Sequence, residues 1–218
     1  MKNKKTELVF VLDRSGSMHG MEGDTIGGFN ALLAKQKTEG GESCVTTVLF
    51  DDNYEILHDR IDAKAIRPIT EKEYYARGST ALLDAIGKTI LKIQKALEQT
   101  DAEYRSGKVL FVITTDGMEN SSREFTYEKI RSMIKRCKKE DGWEFIFLGA
   151  DIDAVGTASR VGIDASRAVD VIKDKRGLDL QFSTVARVAS SYTACADAPM
   201  REDLLEIIKE DTHKRRKV

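Results

Sequence analysis

Short apolar runs alternate along the chain with longer segments in which apolar residues recur every three or four positions. Five of the short runs are rich in β-branched and aromatic residues, a composition typical of strands. They are "LVFVL" (8–12), "VTTVLF" (45–50), "YEILH" (54–58), "VLFVI" (109–113) and "EFIFLG" (144–149). The first, fourth and fifth runs are nearly continuous, which indicates strands buried on both faces of a parallel sheet. The turn-rich "FDDNYE" predicts that the second and third strands form an antiparallel hairpin at the sheet edge.

Helical periodicity occupies the intervals between these strands. The amphipathic segments are 22–37, 80–98 and 126–139, and we interpret their apolar stripes as core-facing. After residue 150 the pattern weakens and predicts a short helix (154–163), an edge strand (168–172) and two further helices (178–194 and 201–210). The element order predicts an α/β fold: a doubly wound, mostly parallel sheet with one antiparallel edge strand and helices on both faces.

Length and composition fit one globular domain. The chain has 218 residues, of which 41% are hydrophobic and 33% are charged. We predict a single domain over residues 1–210, followed by a flexible basic tail over residues 211–218. The formal net charge of −1 argues against nucleic acid as a partner.

Two sequence features bear on the cellular compartment. The three cysteines, Cys44, Cys137 and Cys195, are odd in number and far apart, so neither a disulfide framework nor a zinc site is predicted. The first apolar run stops at Asp13 after five residues, which is too short for a secretory signal or a bilayer span. We therefore expect a cytoplasmic protein with no membrane partner.

Acidic and hydroxyl side chains gather where strands end. Asp13 ends the first strand and Asp116 follows the fourth, and in a doubly wound sheet these strands are neighbours at the point where ligands bind. Two carboxylates placed together repel unless a cation or a shared proton lies between them. Ser15 and Ser17 add hydroxyl oxygens, as does Thr80 at the start of a helix. Hard oxygen donors with few negative charges suit Mg²⁺ or Mn²⁺.

These residues resemble the pattern of a von Willebrand factor A domain with a metal-ion-dependent adhesion site (MIDAS). That pattern is Asp-x-Ser-x-Ser, then a Thr in a Gly-containing loop, then an Asp after a buried strand. It is matched by "DRSGS" (13–17), Thr80 in "RGSTALLDAIG" and Asp116 in "VITTDGMEN". The resemblance spans roughly residues 6–150.

The resemblance implies a non-enzymatic module in which Mg²⁺ captures an Asp or Glu side chain of a partner protein. Ser15 and Ser17 would coordinate the ion directly, Thr80 would do so in the ligand-competent state, and Asp13 and Asp116 would act mainly through water. An ion held by neutral hydroxyls keeps more positive charge for an incoming carboxylate. By analogy, the expected role is the assembly or regulation of an intracellular complex.

Side chains in the same loops are predicted to form a rim that selects the partner. They are Arg14, Arg77 and Glu119, with His19 and Asn120 as further members. Arg77 is the first choice, because a guanidinium can bind an incoming carboxylate bidentately. We interpret "GADIDA", with Asp151 and Asp153 beyond the fifth strand, as a loop with a helix-capping Asp rather than a metal site.

An alternative function is that of a Mg²⁺-dependent phosphohydrolase with Asp13 as nucleophile. That class needs a second acid two residues later, where this chain has Ser15. It also needs a Lys near the phosphate, and none lies in the three loops. Neither a G-x-S-x-G nucleophile motif nor a glycine-rich phosphate loop occurs in the sequence.

Overall fold

The computed structural model describes residues 5–194 and 199–217. The strands are β1 (Thr6–Asp13), β2 (Ser43–Phe50), β3 (Tyr54–Asp62), β4 (Lys108–Thr115), β5 (Glu144–Ala150) and β6 (Ala168–Val171). The helices are α1 (Glu22–Glu39), α2 (Leu82–Glu98), α3 (Tyr127–Glu140), α4 (Ala154–Val161), α5 (Lys175–Ala194) and α6 (Glu206–Arg216). Every strand and helix predicted from the pattern is present.

One six-stranded sheet runs through the centre of the protein in the order β3-β2-β1-β4-β5-β6. All neighbouring strands are parallel except β2 and β3, which form the antiparallel edge hairpin. The predicted fold class is therefore confirmed.

Two hydrophobic cores lie on opposite faces of the sheet. One contains side chains of α1, α5 and α6, and the other contains side chains of α2, α3 and α4. Along β1, Leu8 and Phe10 belong to the first core, whereas Val9 and Val11 belong to the second. Both faces of this strand are covered, which explains why its apolar run is continuous rather than alternating.

The carboxyl-terminal segment differs from the predicted tail. The structure continues α6 to Arg216, so the basic stretch from residue 211 begins as helix. Thr212 Oγ1 donates a hydrogen bond to the Asp170 carbonyl at 2.8 Å, and Arg216 lies 3.3 Å from the Asp170 carboxylate. Arg215 forms an ion pair with Asp174. The basic side chains of α6 thus pair with acidic groups of β6 and of the segment after it. The local sequence does not reveal this attraction.

Two of the three cysteines are described. Cys44 and Cys137 are buried free thiols, whereas Cys195 lies outside the described residues. Across residues 5–194 and 199–217, none of the helices combines the length and the apolar character required to cross a bilayer.

Candidate metal centre

The carboxyl ends of β1 and β4 lie side by side, because the two strands pair in parallel with Leu12 opposite Thr114. The other edge of β1 pairs with β2, so the chain changes direction across the sheet at this point. Three loops meet here: 13–18 after β1, 77–81 before α2 and 116–120 after β4. A backbone hydrogen bond joins the first two of these loops, since Gly16 N–H donates to the Gly78 carbonyl at 3.1 Å.

The predicted ligand side chains of the first and third loops are in direct contact. The hydroxyl oxygens of Ser15 and Ser17 lie 2.9 Å apart, and Ser17 Oγ donates to Asp116 Oδ1 at 2.5 Å. Ser15 is buried, whereas Ser17 is exposed. The chain of oxygens therefore runs from the interior of the protein to its surface.

Asp13 lies beneath this chain with both carboxylate oxygens bonded to the protein. Oδ1 accepts a hydrogen bond from Ser15 N–H at 2.7 Å, and Oδ2 accepts one from Thr115 Oγ1 at 2.5 Å. Burial raises the pKa of Asp13 to about 6, with a smaller contribution from the Asp116 charge, while the hydrogen bonds from Thr115 and Ser15 oppose the rise. Asp13 therefore contributes negative charge beneath the serine loop, but both of its carboxylate oxygens are already engaged in hydrogen bonds.

Thr80 is held beside the same group of oxygens by reciprocal bonds to Asn120. Thr80 N–H donates to Asn120 Oδ1 at 2.9 Å, and Asn120 N–H donates to the Thr80 carbonyl at 3.1 Å. A Cβ placed on Gly117 would lie 2.5 Å from Thr80 Oγ1 and 3.2 Å from Ser17 Oγ. Both hydroxyls therefore lie close to Gly117, where any larger residue would press against them.

A lysine from outside the three loops completes the group. Lys173 follows β6, and its ammonium lies 2.8 Å from Asp116 Oδ2 and donates to the Ser17 carbonyl. The side chain of Asp116 is 0% exposed, and that of Lys173 is 25% exposed. The three loops themselves contain no lysine, and the cation beside Asp116 comes from a segment that lies far from them in sequence.

Asp51, just after β2, binds the two arginines that were predicted at the rim. Its Oδ2 accepts hydrogen bonds from Arg14 Nε at 2.9 Å and from Arg77 Nε at 2.7 Å, and its Oδ1 accepts from Asn53. Burial opposes ionisation of Asp51, but the hydrogen bonds, that from Arg77 foremost, outweigh it and hold its pKa below the usual value. Both guanidinium groups also lie over the ring of Tyr75.

The predicted rim is thus only partly at the surface. Arg14 is 1% exposed, which differs from a rim position, because Asp51 and Glu55 neutralise its charge within the protein. Arg77 keeps a side chain that is 41% exposed beside the site. Met118, 77% exposed in the loop that carries Asp116, is an apolar neighbour that the sequence analysis did not consider.

Glu119 and Asp84 hold the start of α2 against the loop after β4. Glu119 accepts hydrogen bonds from Leu83 N–H at 2.9 Å and from Ser122 through both its backbone and its hydroxyl. Asp84 accepts from three successive backbone N–H groups, those of residues 123–125. Glu119 therefore positions α2 and its preceding Thr80, a different use from the predicted rim role.

The donor set fits a hard divalent ion. Within the described ranges, no three His, Cys, Asp or Glu side chains cluster in a way that could hold a metal. The oxygens gathered here are instead three hydroxyls and two carboxylates, and the buried Asp116 Oδ2 has the Lys173 ammonium as its partner. Mg²⁺ and Mn²⁺ prefer such oxygen donors, and Ser15, Ser17, Thr80, Asp13 and Asp116 are the residues that would hold one.

Solved structures share this fold. A von Willebrand factor type A protein from Catenulispora acidiphila aligns with 85% of this chain at a TM-score of 0.58 and 14% identity. The pilus adhesin SpaC from Lactobacillus rhamnosus GG aligns with 87% at a TM-score of 0.66 and 13% identity. Proximal thread matrix protein 1 from the mussel byssus, in a form with a zinc-occupied MIDAS motif, aligns with 85% at a TM-score of 0.57 and 14% identity.

The chain therefore has a von Willebrand factor A-like fold. It spans 42%, 30% and 46% of the lengths of these three proteins, respectively. No protein-family model matches the sequence, and no curated protein matches it significantly.

Three residues that shape the site were missed by sequence reasoning. Thr115 precedes Asp116 at the end of β4, and the strand pattern alone could have identified it as a candidate site residue. Asp51 ends an apolar run as Asp13 does, so the same search of strand ends would have found it. Lys173 has no local signal, because it meets the serine loop 156 residues away in sequence.

Proposed function

We propose that this protein is a non-enzymatic binding module that captures an Asp or Glu side chain of a partner protein through a bound Mg²⁺ or Mn²⁺. The observation that carries the proposal is the contact between the Ser15 and Ser17 hydroxyls and the buried Asp116 carboxylate, with the Ser17 and Thr80 hydroxyls both beside Gly117. Because three of the five donors are neutral, the ion would retain positive charge for an external carboxylate. The zinc-occupied MIDAS motif of the mussel matrix protein, which has the same fold, supports this use of the site.

We place this activity in the cytoplasm, in the assembly or regulation of a protein complex. The two described cysteines, Cys44 and Cys137, are free thiols, as is usual in a reducing compartment. Arg77 and Met118 are the exposed side chains that would meet the partner next to the ion.

Metal-dependent thermal stability tests the site. A metal at one hundred times its Kd adds about 2.7 kcal/mol, which raises the Tm of a domain of this size by roughly 5–10 °C. We expect Mg²⁺ or Mn²⁺ to raise the Tm of the wild-type protein, and Ser15→Ala and Asp13→Ala to abolish the rise. The matched control is Ser183→Ala, an exposed position in α5 whose hydroxyl bonds only within its helix. An equal rise in wild type and both site variants would overturn the metal assignment.

Partner capture needs a separate measurement. We expect a blocked tripeptide with a central Glu to shift the NMR signals of residues around Thr80 and Gly117 in the presence of Mg²⁺. The same peptide with a central Gln provides the control, since it keeps the shape and lacks the charge. Shifts that are equal for the two peptides, or independent of Mg²⁺, would contradict carboxylate capture.

A Mg²⁺-dependent phosphohydrolase is the second candidate, because Lys173 places a cation beside the carboxylates. Against it, Asp13 is 2% exposed with both oxygens hydrogen-bonded, and the position two residues later is Ser15. We expect no turnover of p-nitrophenyl phosphate. Metal-dependent hydrolysis that disappears in Asp13→Asn would favour the enzyme instead.

A further inference from the structure

Lys173 is placed where a metal-binding carboxylate would need to be free. Its ammonium lies 2.8 Å from Asp116 Oδ2 and also donates to the Ser17 carbonyl. Residues 172–174 connect β6 to α5, so this lysine ties that segment to both the serine loop and the loop after β4. Its own backbone N–H donates to Asp151 Oδ1 at 3.3 Å, which keeps the base of the side chain in position.

The ammonium is the counter-charge of a buried acid. Asp116 Oδ1 accepts a hydrogen bond from Ser17, whereas Oδ2 is buried and pairs with the Lys173 ammonium at 2.8 Å. A carboxylate buried without an opposite charge is costly, and Asp13 nearby adds to the negative potential. When no other cation is bound, the charge of Lys173 therefore stabilises the neighbouring carboxylates of Asp116 and Asp13.

We propose that Lys173 is a tethered counter-ion that competes with the divalent metal for Asp116. This inference rests on the proposed metal site and adds the regulation of its affinity. Two cations within bonding distance of the same carboxylate repel each other strongly in a poorly solvated site. A lysine has a flexible four-carbon stem and a strongly hydrated head, so its ammonium can move to solvent when Asp116 turns to the metal.

The competition has a structural consequence. When Lys173 leaves Asp116, it also gives up the Ser17 carbonyl, and the tie between the serine loop and the start of α5 is lost. Metal occupancy is thereby linked to the position of the β6–α5 segment. A partner that binds this segment would in turn change the affinity for the metal.

Substitution of Lys173 by Met separates competition from a structural role. Without metal, Lys173→Met leaves Asp116 without its counter-charge, so we expect a lower Tm in EDTA. With Mg²⁺ or Mn²⁺ we expect the opposite: tighter binding by about tenfold or more, and a larger metal-induced rise in Tm than in wild type. Metal affinity is measured by calorimetry and by Mn²⁺ electron paramagnetic resonance. The matched control is Lys175→Met, which removes the same charge from an exposed position two residues later and should leave the affinity unchanged.

The outcomes distinguish the two proposals. Equal metal affinities in wild type and Lys173→Met, or a Tm lowered equally with and without metal, would overturn the counter-ion while the metal site stands. No binding of Mg²⁺ or Mn²⁺ to either protein would overturn both. If Lys173→Met does not fold, the wild type can be followed directly. Its Lys173 ε-methylene NMR signal, assigned by its loss in Lys173→Arg, should shift on addition of Mg²⁺, and an unchanged signal would refute the displacement.

Discussion

Replacing Gly117 by Ala tests the metal centre without removing any donor atom. Gly117 lies between Asp116 and Met118, and its backbone is outside the left-handed region, so an Ala is compatible with the local conformation. The added methyl group would, however, lie 2.5 Å from Thr80 Oγ1 and 3.2 Å from Ser17 Oγ. It would therefore press against both hydroxyls.

The size of the effect follows from these distances. Ordinary contact with a methyl carbon begins near 3.4 Å, so Thr80 Oγ1 must retreat by about 0.9 Å. Reciprocal hydrogen bonds to Asn120 restrain the backbone of Thr80, which leaves side-chain rotation as the available response. Mg²⁺ accepts ligand distances near 2.0–2.1 Å with little tolerance, so this rotation removes the Thr80 hydroxyl as a ligand of the ion. We expect the metal affinity to fall at least about 100-fold, which removes about 2.7 kcal/mol of metal-dependent stabilisation.

The assay is thermal unfolding with and without Mg²⁺, combined with calorimetric titration. The control is Gly27→Ala, an exposed position inside α1 where a new Cβ meets nothing within 4 Å. We expect Gly27→Ala to stabilise the protein by about 0.5–1 kcal/mol in either condition and to keep the metal response. A folded Gly117→Ala protein that retains the wild-type metal response would refute the idea that the Thr80 and Ser17 hydroxyls beside Gly117 hold the ion.

Three further substitutions test the support of the site. Asp51→Asn should lower the free energy of unfolding by about 3–5 kcal/mol in urea titrations, because it removes the charge opposite buried Arg14. Since the pKa of Asp51 is lowered in the fold, the wild type should lose this advantage in stability as the pH falls through and below the usual carboxyl range. A difference in stability that persists at low pH would contradict the assignment. Asp84→Ala should lower the free energy of unfolding by about 3 kcal/mol and speed hydrogen exchange at residues 123–125, because it would leave their N–H groups without an acceptor. Unchanged hydrogen exchange would argue against this role of Asp84. Thr115→Val should cost about 1–3 kcal/mol by depriving Asp13 of a donor, and Thr115→Ser should restore most of it; no recovery would assign the loss to packing instead.

The fold could be predicted because its determinants are local and periodic. In β1, burial on both faces requires a continuous run of apolar residues, which is visible without knowing the partners. The predicted metal set was equally accessible, since Asp13, Ser15 and Ser17 are adjacent in one loop and Asp116 ends a strand of the same type. That these residues coordinate an ion stays a prediction, although the structure brings their side chains together.

The environment of the site depended on contacts that sequence distance conceals. Arg14 looks like an exposed loop residue, and its burial is tolerable because Asp51 and Glu55, 37 and 41 residues later, pair with its guanidinium. Lys173 reaches the site across 156 positions, and no periodicity marks a lysine that pairs with a buried acid. The basic residues of α6 read as a tail because their acidic partners belong to other elements.

The pairing of charges explains why we propose the ion, rather than an arginine, as the anchor for a partner carboxylate. Arg14 and Arg77 lie near the three loops, and a free guanidinium there would bind carboxylates unaided. Asp51 takes a hydrogen bond from both, so much of their charge is already balanced. Asp116 by contrast pairs with Lys173, and within the described part of the chain Asp13 forms no ion pair, so the two carboxylates outnumber the cation paired with them. A divalent ion that replaced the lysine at Asp116 would correct this excess, and the carboxylate of a partner could then approach. The proposed exchange of Lys173 for the ion would thereby make attraction to an acidic partner conditional on the metal.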